Sequence, residues 1–319
     1  MAAHNEEDNI GHLLQDLAHQ TYPNFEIILV LDHCTDRSLQ IATQLTIKQL
    51  KILELNQIEK GKKAALSQGI KAASGEFLVF TDADCRIPNR DWLLQMADCT
   101  SGKENVHVGI SLIHPESNSK LLNLLIQFET LQTAIQYIGS ALMRAPYMAL
   151  GRNWGYTKTL ADKLEGLQRY QHILGGDDDL LLQESAEKNA KVIPITHPSS
   201  INYSLLKTDL KKWWKQKHRH VGVGLKYNSR FWLISAIPPI LHGLYYILLV
   251  CLLVRGHFYF TSLLFIWRTI IFILTFASIG HKWKYSFSYI WIPFMDILYQ
   301  CYMLISRLYT LVVPVKKWN

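Results

Sequence analysis

The sequence predicts an α/β domain with a mostly parallel sheet, then a basic amphipathic interface helix and about three C-terminal transmembrane helices. Three observations carry this. Short apolar strands alternate with helical periodicities through residues 1–207, the pattern of a parallel sheet covered by helices on both faces. Asp82-Ala83-Asp84 follows the apolar run Phe77-Leu78-Val79-Phe80-Thr81, so a buried strand delivers two carboxylates to its carboxyl end, where open α/β sheets bind ligands. Long apolar stretches nearly free of charge follow residue 230, each sufficient to cross about 30 Å of hydrocarbon.

Taken in order, Ala2-Ala3 are expected to be the last residues of an opening strand whose start lies upstream. Residues 8–20 carry Ile10, Leu13, Leu14 and Leu17 at helical spacing, ended by Tyr22-Pro23. Residues 25–31 form a buried strand ending at Asp32. A helix over 38–48, a strand over 49–55 and a helix over 61–73 follow, the last stopped by Ser74-Gly75. After the Asp82 strand come a helix from Trp92, a strand over 106–113 and a helix over 121–137. Residues 152–156 are expected to be a polar-aromatic loop, and 191–195 a last short strand.

Residues 208–230 are basic and aromatic, with Trp213 and Trp214, and suit a helix lying on a membrane interface. Transmembrane segments are expected over 231–254, 258–280 and 285–315, with Pro238, Pro239 and Pro293 tolerable there. The formal net charge of +7 would suit nucleic acid. Joined to an apolar tail, it points to a membrane surface instead and away from nucleic acid. Met1 to Glu7 lacks the apolar core of a signal peptide. The five cysteines, Cys34, Cys85, Cys99, Cys251 and Cys301, show no CxxC and no metal-ligand spacing, and are expected to be reduced.

Five charged features fall at loop positions where a nucleotide diphosphate could bind. Asp32 ends the second strand and Asp36 follows it; Asp36 is equally well a helix N-cap. Gly61-Lys62-Lys63 opens a helix, where free N–H groups favour phosphate; Lys63 is expected on a solvated face. Asp82 and Asp84 can hold a hard divalent cation that in turn holds a diphosphate. Gly175-Gly176-Asp177-Asp178-Asp179-Leu180 gathers three costly adjacent carboxylates, fit for a base, although acidic residues also suit a helix start. Gln216 to His220 precedes the first apolar stretch; Arg219 could fork onto a phosphate, while neighbouring lysines serve as positive-inside charge.

Together, Ala2 to Glu7, Asp32 to Asp36, Gly61 to Gly69, Asp82-Ala83-Asp84, Gly175 to Leu180 and Gln216 to His220 resemble the membrane-attached family 2 glycosyltransferases over roughly Met1 to Tyr227. The resemblance implies a GT-A-type nucleotide-sugar-binding domain over 1–207 and a Mg²⁺ or Mn²⁺ cofactor. It puts Ala3, Asn5, Glu6, Asp32, Lys62, Asp82, Ala83, Gln216 and Arg219 on the donor, with Asp32 toward the base and Asp82 toward the ribose. Asp84, with Asp82, would hold the metal, and Asp177 would be the general base, with Asp178 and Asp179 as alternatives. Gly176 stands where the family often has Glu. His220 stands where processive polymer synthases have Trp, which favours addition of one sugar or a few.

The expected function is therefore metal-dependent, inverting transfer from a nucleotide-diphosphate sugar to a lipid-linked or saccharide acceptor. The protein would be multi-pass in the cell membrane with its catalytic domain cytoplasmic. The turn Arg255-Gly256-His257 would then lie outside and residues 281–284 inside, an alternation that Lys316 and Lys317 fit poorly. An inactive scaffold keeping the fold and a processive polysaccharide synthase are the rivals; a nucleotidyltransferase would need a Gly-rich phosphate loop near the amino end. Finally, Arg268 and Asp296 each lie fourteen residues from Lys282. In a helical hairpin at 1.5 Å per residue both reach a depth of about 21 Å and should pair; the alternative is that Arg268 snorkels to lipid headgroups and Asp296 faces a water-filled acceptor groove.

Overall fold

The computed structural model describes residues 1–56, 58, 60–97, 104–114, 121–205 and 209–313. Cys99, Lys316 and Lys317 lie outside these residues. The chain forms two compact units, one of residues 1–114 and 134–205, the other of 115–133 and 206–319.

In the first unit, β1 (Ala2–Ala3), β2 (Ile27–Leu31) and β3 (Leu50–Glu54) form a parallel sheet, with Ala3 opposite Leu31 and Leu31 opposite Glu54. The crossovers carry α1 (Ile10–Ala18) and α2 (Ser38–Gln44). Ile10, Leu13, Leu14 and Leu17 are buried on one face of α1 and join Ile27, Leu29 and Leu31 in the core. Next come α3 (Lys62–Ala72), β4 (Phe77–Phe80), β5 (Cys85–Arg86), α4 (Trp92–Ala97), β6 (Asn105–Val108) and β7 (Ser111–Ile113). They are followed by α5 (Leu121–Leu142), β8 (Trp154–Thr157), α6 (Lys158–Ala161), α7 (Gly166–Arg169), α8 (Asp179–Glu187), β9 (Lys191–Pro194) and β10 (Asn202–Ser204). The second sheet runs β4-β8-β6-β9, with β8 antiparallel to both neighbours; the third runs β5-β10-β7. Parallel pairing thus dominates β1 to β3, and antiparallel pairing enters through β8 and β5.

Two expectations are corrected here. The strand expected over 106–113 is two strands, β6 and β7, in different sheets. The break falls at Gly109, where a Cβ would lie 2.7 Å from the Asn153 side chain, so only glycine lets the chain pass. The loop expected over 152–156 contains strand β8. Trp154 and Tyr156 alternate onto one face and stack on Phe80, with centroids 5.4 and 5.2 Å away. Gly155 lies so close to β4 that a Cβ would sit 2.5 Å from the Leu78 carbonyl oxygen. The polar Arg152-Asn153 start and the glycine hide a two-residue period that only the ring packing on Phe80 reveals.

The second unit holds the first part of α5 together with α9 (Leu210–Gly224), α10 (Ser229–Val254), α11 (Phe258–Lys282) and α12 (Ile292–Val312). Asp209 caps α9 and Asn228 caps α10 through side-chain oxygens. By length and composition α10 and α11 could cross a membrane. Their apolar side chains point outward, Leu241 being 61% and Trp267 63% exposed, which a buried core helix would not allow. The third segment differs from expectation. Its helix starts at Ile292 rather than 285, because Pro293 belongs in a first turn. It carries Asp296 and Arg307 and buries Met295, Tyr299, Tyr302 and Ser306, and among the described residues two helices rather than three qualify as spans by length and composition.

The Arg268–Asp296 pair forms as expected, with Nη1 2.6 Å from Oδ2. The route to it differs. Asp296 sits in the second turn of α12, and residues 283–291 bridge the distance as turn, irregular chain and a short 3₁₀ segment. Such chain advances faster per residue than the α-helix assumed for it.

Candidate active site

The carboxyl ends of β1, β2 and β4 supply the site. The Asp32 N–H donates to the Ala3 carbonyl at 2.8 Å, which brings the chain after β2 beside the chain after β1. Asn5, at a φ of 55°, accepts the Thr35 N–H with Oδ1, and the Glu6 N–H donates to the Ser38 hydroxyl. Asp36 accepts the N–H groups of Ser38 and Glu7, but the N-cap of α2 is Arg37, so Asp36 ties the helix start to the chain after β1 from one residue outside the cap position. These contacts fix residues 3–6 against residues 32–38.

The Asp32 carboxylate reaches in two directions. Oδ1 meets His33 Nδ1 at 2.8 Å, and Oδ2 accepts the Gly61 N–H at 2.9 Å. Gly61, with a φ of 93°, ends the loop from which α3 starts. The next residue, Lys62, turns its ammonium to two carboxylates, Asp82 Oδ1 at 2.8 Å and Asp177 Oδ2 at 3.2 Å. The Lys62 and Asp82 side chains remain 25% and 32% exposed, whereas that of Asp177 is 9% exposed. Burial works against the Lys62 charge, but Asp177 and Asp82 outweigh it and raise the pKa. Burial likewise opposes ionised Asp82, and Lys62, with Arg152 helping, outweighs it and lowers the pKa.

The three adjacent aspartates separate by partner. Gly175 and Gly176 adopt φ angles of 90° and 70°, open to glycine at no steric cost, and turn the chain into α8. Asp178 caps that helix: Oδ1 accepts the Asp179 N–H at 2.8 Å and Oδ2 accepts the Gly151 N–H. Burial, then the neighbouring Asp177 charge, pushes the Asp178 carboxyl up to about 6. Asp179 accepts the Ala149 N–H at 3.2 Å. Asp177 faces Lys62 instead.

Asp84 lies two residues beyond Asp82, half-buried, with Ala83 buried between them. No group of three or more His, Cys, Asp or Glu gathers for a metal among the described residues. Two hard oxygen donors after one strand fit a Mg²⁺-type site whose remaining ligands come from a diphosphate and water.

Two further residues belong to this region, Arg152, to which the sequence assigned no role, and Lys63, whose expected solvated position is corrected. Arg152 donates through Nε to Ser111 Oγ at 2.6 Å and acts electrostatically on Asp82. Lys63, expected on a solvated face, donates to the carbonyls of Tyr170 and Ile173, both at 2.7 Å, and so ties α3 to the chain before Gly175. The polar-aromatic stretch 152–156 was the available signal for the first; for the second, its partners Tyr170 and Ile173 are more than a hundred residues away and leave no local mark. Asn153 holds the Arg152 segment through Trp92, Ile110 and Ser200. Gln216 and Arg219 lie on α9 in the second unit.

Comparison with known proteins defines the family. The family model described as Glycosyl transferase family 2 matches residues 1–162. The chain belongs to glycosyl transferase family 2. It is 27% identical over 241 residues to glycosyltransferase GlyA of Streptococcus pneumoniae serotype 4, covering 69% of this chain and 32% of that protein. It is 34% identical over 103 residues to glycosyltransferase AglE of Haloferax volcanii, covering 31% of this chain and 33% of that one. The chain thus matches about a third of the length of these relatives. Among solved structures, the mannosyltransferase PcManGT from Pyrobaculum calidifontis, in complex with GDP-Man and Mn²⁺, superimposes over 97% of this chain and 85% of that one, with a TM-score of 0.53 and 17% identity. Glucosyl-3-phosphoglycerate synthase from Mycobacterium tuberculosis, in complex with Mn²⁺, UDP and phosphoglyceric acid, covers 72% of this chain and 76% of that one, with a TM-score of 0.50 and 14% identity. These likenesses establish the GT-A-like α/β fold of this family 2 chain.

Proposed function

We propose that this family 2 chain is a membrane-bound inverting glycosyltransferase that moves a sugar from a nucleotide-diphosphate donor to a lipid-linked or saccharide acceptor. The observation that carries the reading is the Lys62 ammonium held between Asp82 and Asp177 at the carboxyl end of β4. It concentrates a cation, a donor-side carboxylate and a base within one hydrogen-bonded group.

Ala3, Asn5, Glu6 and Asp32 form the nucleoside side, with Asp32 toward the base; Asp82, Ala83 and Lys62 face the ribose and diphosphate. Asp84, with Asp82, would hold Mg²⁺ or Mn²⁺, as Mn²⁺ appears in the two superimposed structures. A divalent ion bound there would screen the charge that builds on the departing diphosphate. Asp177 takes the proton of the acceptor hydroxyl as that oxygen attacks the anomeric carbon, and one base with one displacement inverts the centre. Asp178, committed to two backbone N–H groups, orients α8 and the Gly151 turn. Gln216 and Arg219 are assigned to the diphosphate and acceptor, and His220 favours one or a few additions over polymerisation.

The exposed apolar faces of α10 and α11 support membrane insertion, and α12 completes a three-helix anchor in this reading. Lys211, Lys212 and Lys215 are exposed on α9, which supports a cytoplasmic catalytic unit and an α9 lying on the interface. The test is a panel of nucleotide sugars with mixed lipid and saccharide acceptors, using detergent-extracted full chain with and without a chelator. Chelator-sensitive transfer with inverted product stereochemistry is expected. Retained stereochemistry would overturn the inverting step, and full activity in chelator would overturn the metal role.

A further inference from the structure

Lys62 has more contacts than donor binding requires. Its ammonium is shared by Asp82 at 2.8 Å and Asp177 at 3.2 Å, so a residue of the donor side is ion-paired to the carboxylate assigned as base. A carboxylate that keeps an ammonium on Oδ2 is a poorer proton acceptor, because the charge that would attract the proton is already neutralised. The contact with Asp177 is the longer of the two, and Asp177 is the more covered partner. Solvent, and hence an arriving anion, reaches Lys62 from the Asp82 side.

We propose that Lys62 is an exchangeable counter-ion that makes the base depend on the donor: without donor its ammonium pairs Asp82 with Asp177, and an arriving nucleoside diphosphate draws it off Asp177. Asp177 is then released only in the loaded site, which disfavours acceptor activation before a sugar is present. This rests on the reading of the site as a nucleotide-sugar site. No covalent step is involved; one ion pair is exchanged for another, and the diphosphate oxygens replace Asp177 Oδ2 as the ammonium's partner. The local layout permits the exchange. Lys62 is the first residue of α3, directly after the φ 93° glycine, and Gly61 is itself anchored to Asp32. The Lys62 backbone therefore stays fixed while its long side chain changes partner, and the neighbouring amino-terminal N–H groups of an eleven-residue helix favour the same phosphate.

The experiment is a double-mutant cycle on the full chain in detergent, built from Lys62→Met, Asp177→Asn and both together. It reads melting temperature with and without saturating UDP or GDP and Mn²⁺, with occupancy fixed for each variant by calorimetry. Without nucleotide, the melting shift caused by Asp177→Asn should differ by several degrees between the wild-type and Lys62→Met backgrounds, the signature of a direct pair. With nucleotide bound, that difference should fall to within error. A difference that persists undiminished in the loaded protein, or is absent from the empty one, overturns the exchange. If Lys62→Met fails to fold, a structure of the wild-type chain with UDP and Mn²⁺ decides the matter. Lys62 Nζ beyond 4 Å from Asp177 and on a diphosphate oxygen supports the exchange; Lys62 leaving Asp82 and keeping Asp177 overturns it. If no nucleoside diphosphate binds the wild-type chain at all, the nucleotide-sugar reading fails and the exchange fails with it. Binding without exchange removes only the latter.

Discussion

Removing either Arg268 or Asp296 should destabilise the second unit more than removing both. Nη1 lies 2.6 Å from Oδ2, and the two side chains are 16% and 2% exposed. The Tyr246 hydroxyl donates to the same oxygen at 2.6 Å, and the guanidinium packs 4.3 Å from the Phe272 centroid and 4.6 Å from that of Tyr245. With Asp296→Leu, a guanidinium remains among aromatic rings without its counter-ion and Tyr246 loses its acceptor. With Arg268→Leu, a carboxylate remains with Tyr246 and with His242, whose Nε2 is 3.9 Å from Oδ1. Breaking one side of a buried pair costs about 3–5 kcal/mol, whereas replacing both by apolar groups is often near neutral. For a chain of this size each kcal/mol is worth about 2 °C. Each single variant should therefore melt about 6–10 °C below the parent, and the double variant should recover most of that. Tryptophan fluorescence melts of detergent-solubilised or nanodisc-embedded protein measure this. A double variant that melts below both singles refutes the pairing as an energetic unit.

Four further outcomes follow from the catalytic unit and the helices. Asp84→Ala should abolish metal-dependent nucleotide binding by calorimetry; unchanged metal dependence would remove Asp84 from the metal site. Asp177→Asn should retain donor binding yet lose transfer by a factor on the order of 10² or more; full activity there, with loss in Asp178→Asn, would move the base one residue along. The Asp178 carboxyl is raised to about 6 by burial and by Asp177, so its contribution to stability is present at pH below the ordinary carboxylate range and is lost as pH rises through 6. Asp178→Asn should therefore gain in melting temperature relative to the parent as pH goes from 4 to 7, and parallel pH profiles for the two proteins would contradict the shift. Cysteine placed at Gly256 should be labelled from the side opposite the catalytic unit; labelling from the cytoplasmic side alone would reverse the orientation.

The strands and helices of the first unit were legible where side-chain periodicity was unbroken. Ile10, Leu13, Leu14 and Leu17 gave α1, and the Ile27–Leu31 run gave β2. What stayed hidden depends on backbone proximity that no period records. Gly109 and Gly155 are required by contacts with Asn153 and Leu78, residues distant in sequence, and those contacts are why one expected strand is two and one expected loop is a strand. The positions of Asp32, Lys62, Asp82 and Asp177 could be picked out because strand ends and helix starts are local features. That one ammonium joins two of these carboxylates is a tertiary fact with no sequence signature. The late start of α12 was announced by Pro293, whose preference for a first turn outweighs the apolar run before it.

The three aspartates after Gly176 show how sequence left a choice that partners narrow. A general base needs a lone pair directed at solvent or substrate, and a proton affinity that rises when the site fills. Asp178 spends both oxygens on the N–H groups of Asp179 and Gly151. Turning it toward an acceptor would uncap α8, at a cost of about 1 kcal/mol, and leave the Gly151 N–H unpaired. Asp179 is engaged by Ala149. For Asp177, the contact that must yield is with a flexible lysine head rather than with fixed backbone, and a lysine head can follow a phosphate where a backbone amide cannot. Three consecutive carboxylates therefore divide into two bound to backbone N–H groups of the helix and its neighbouring turns and one, Asp177, that meets a lysine and that the proposed mechanism uses as its base.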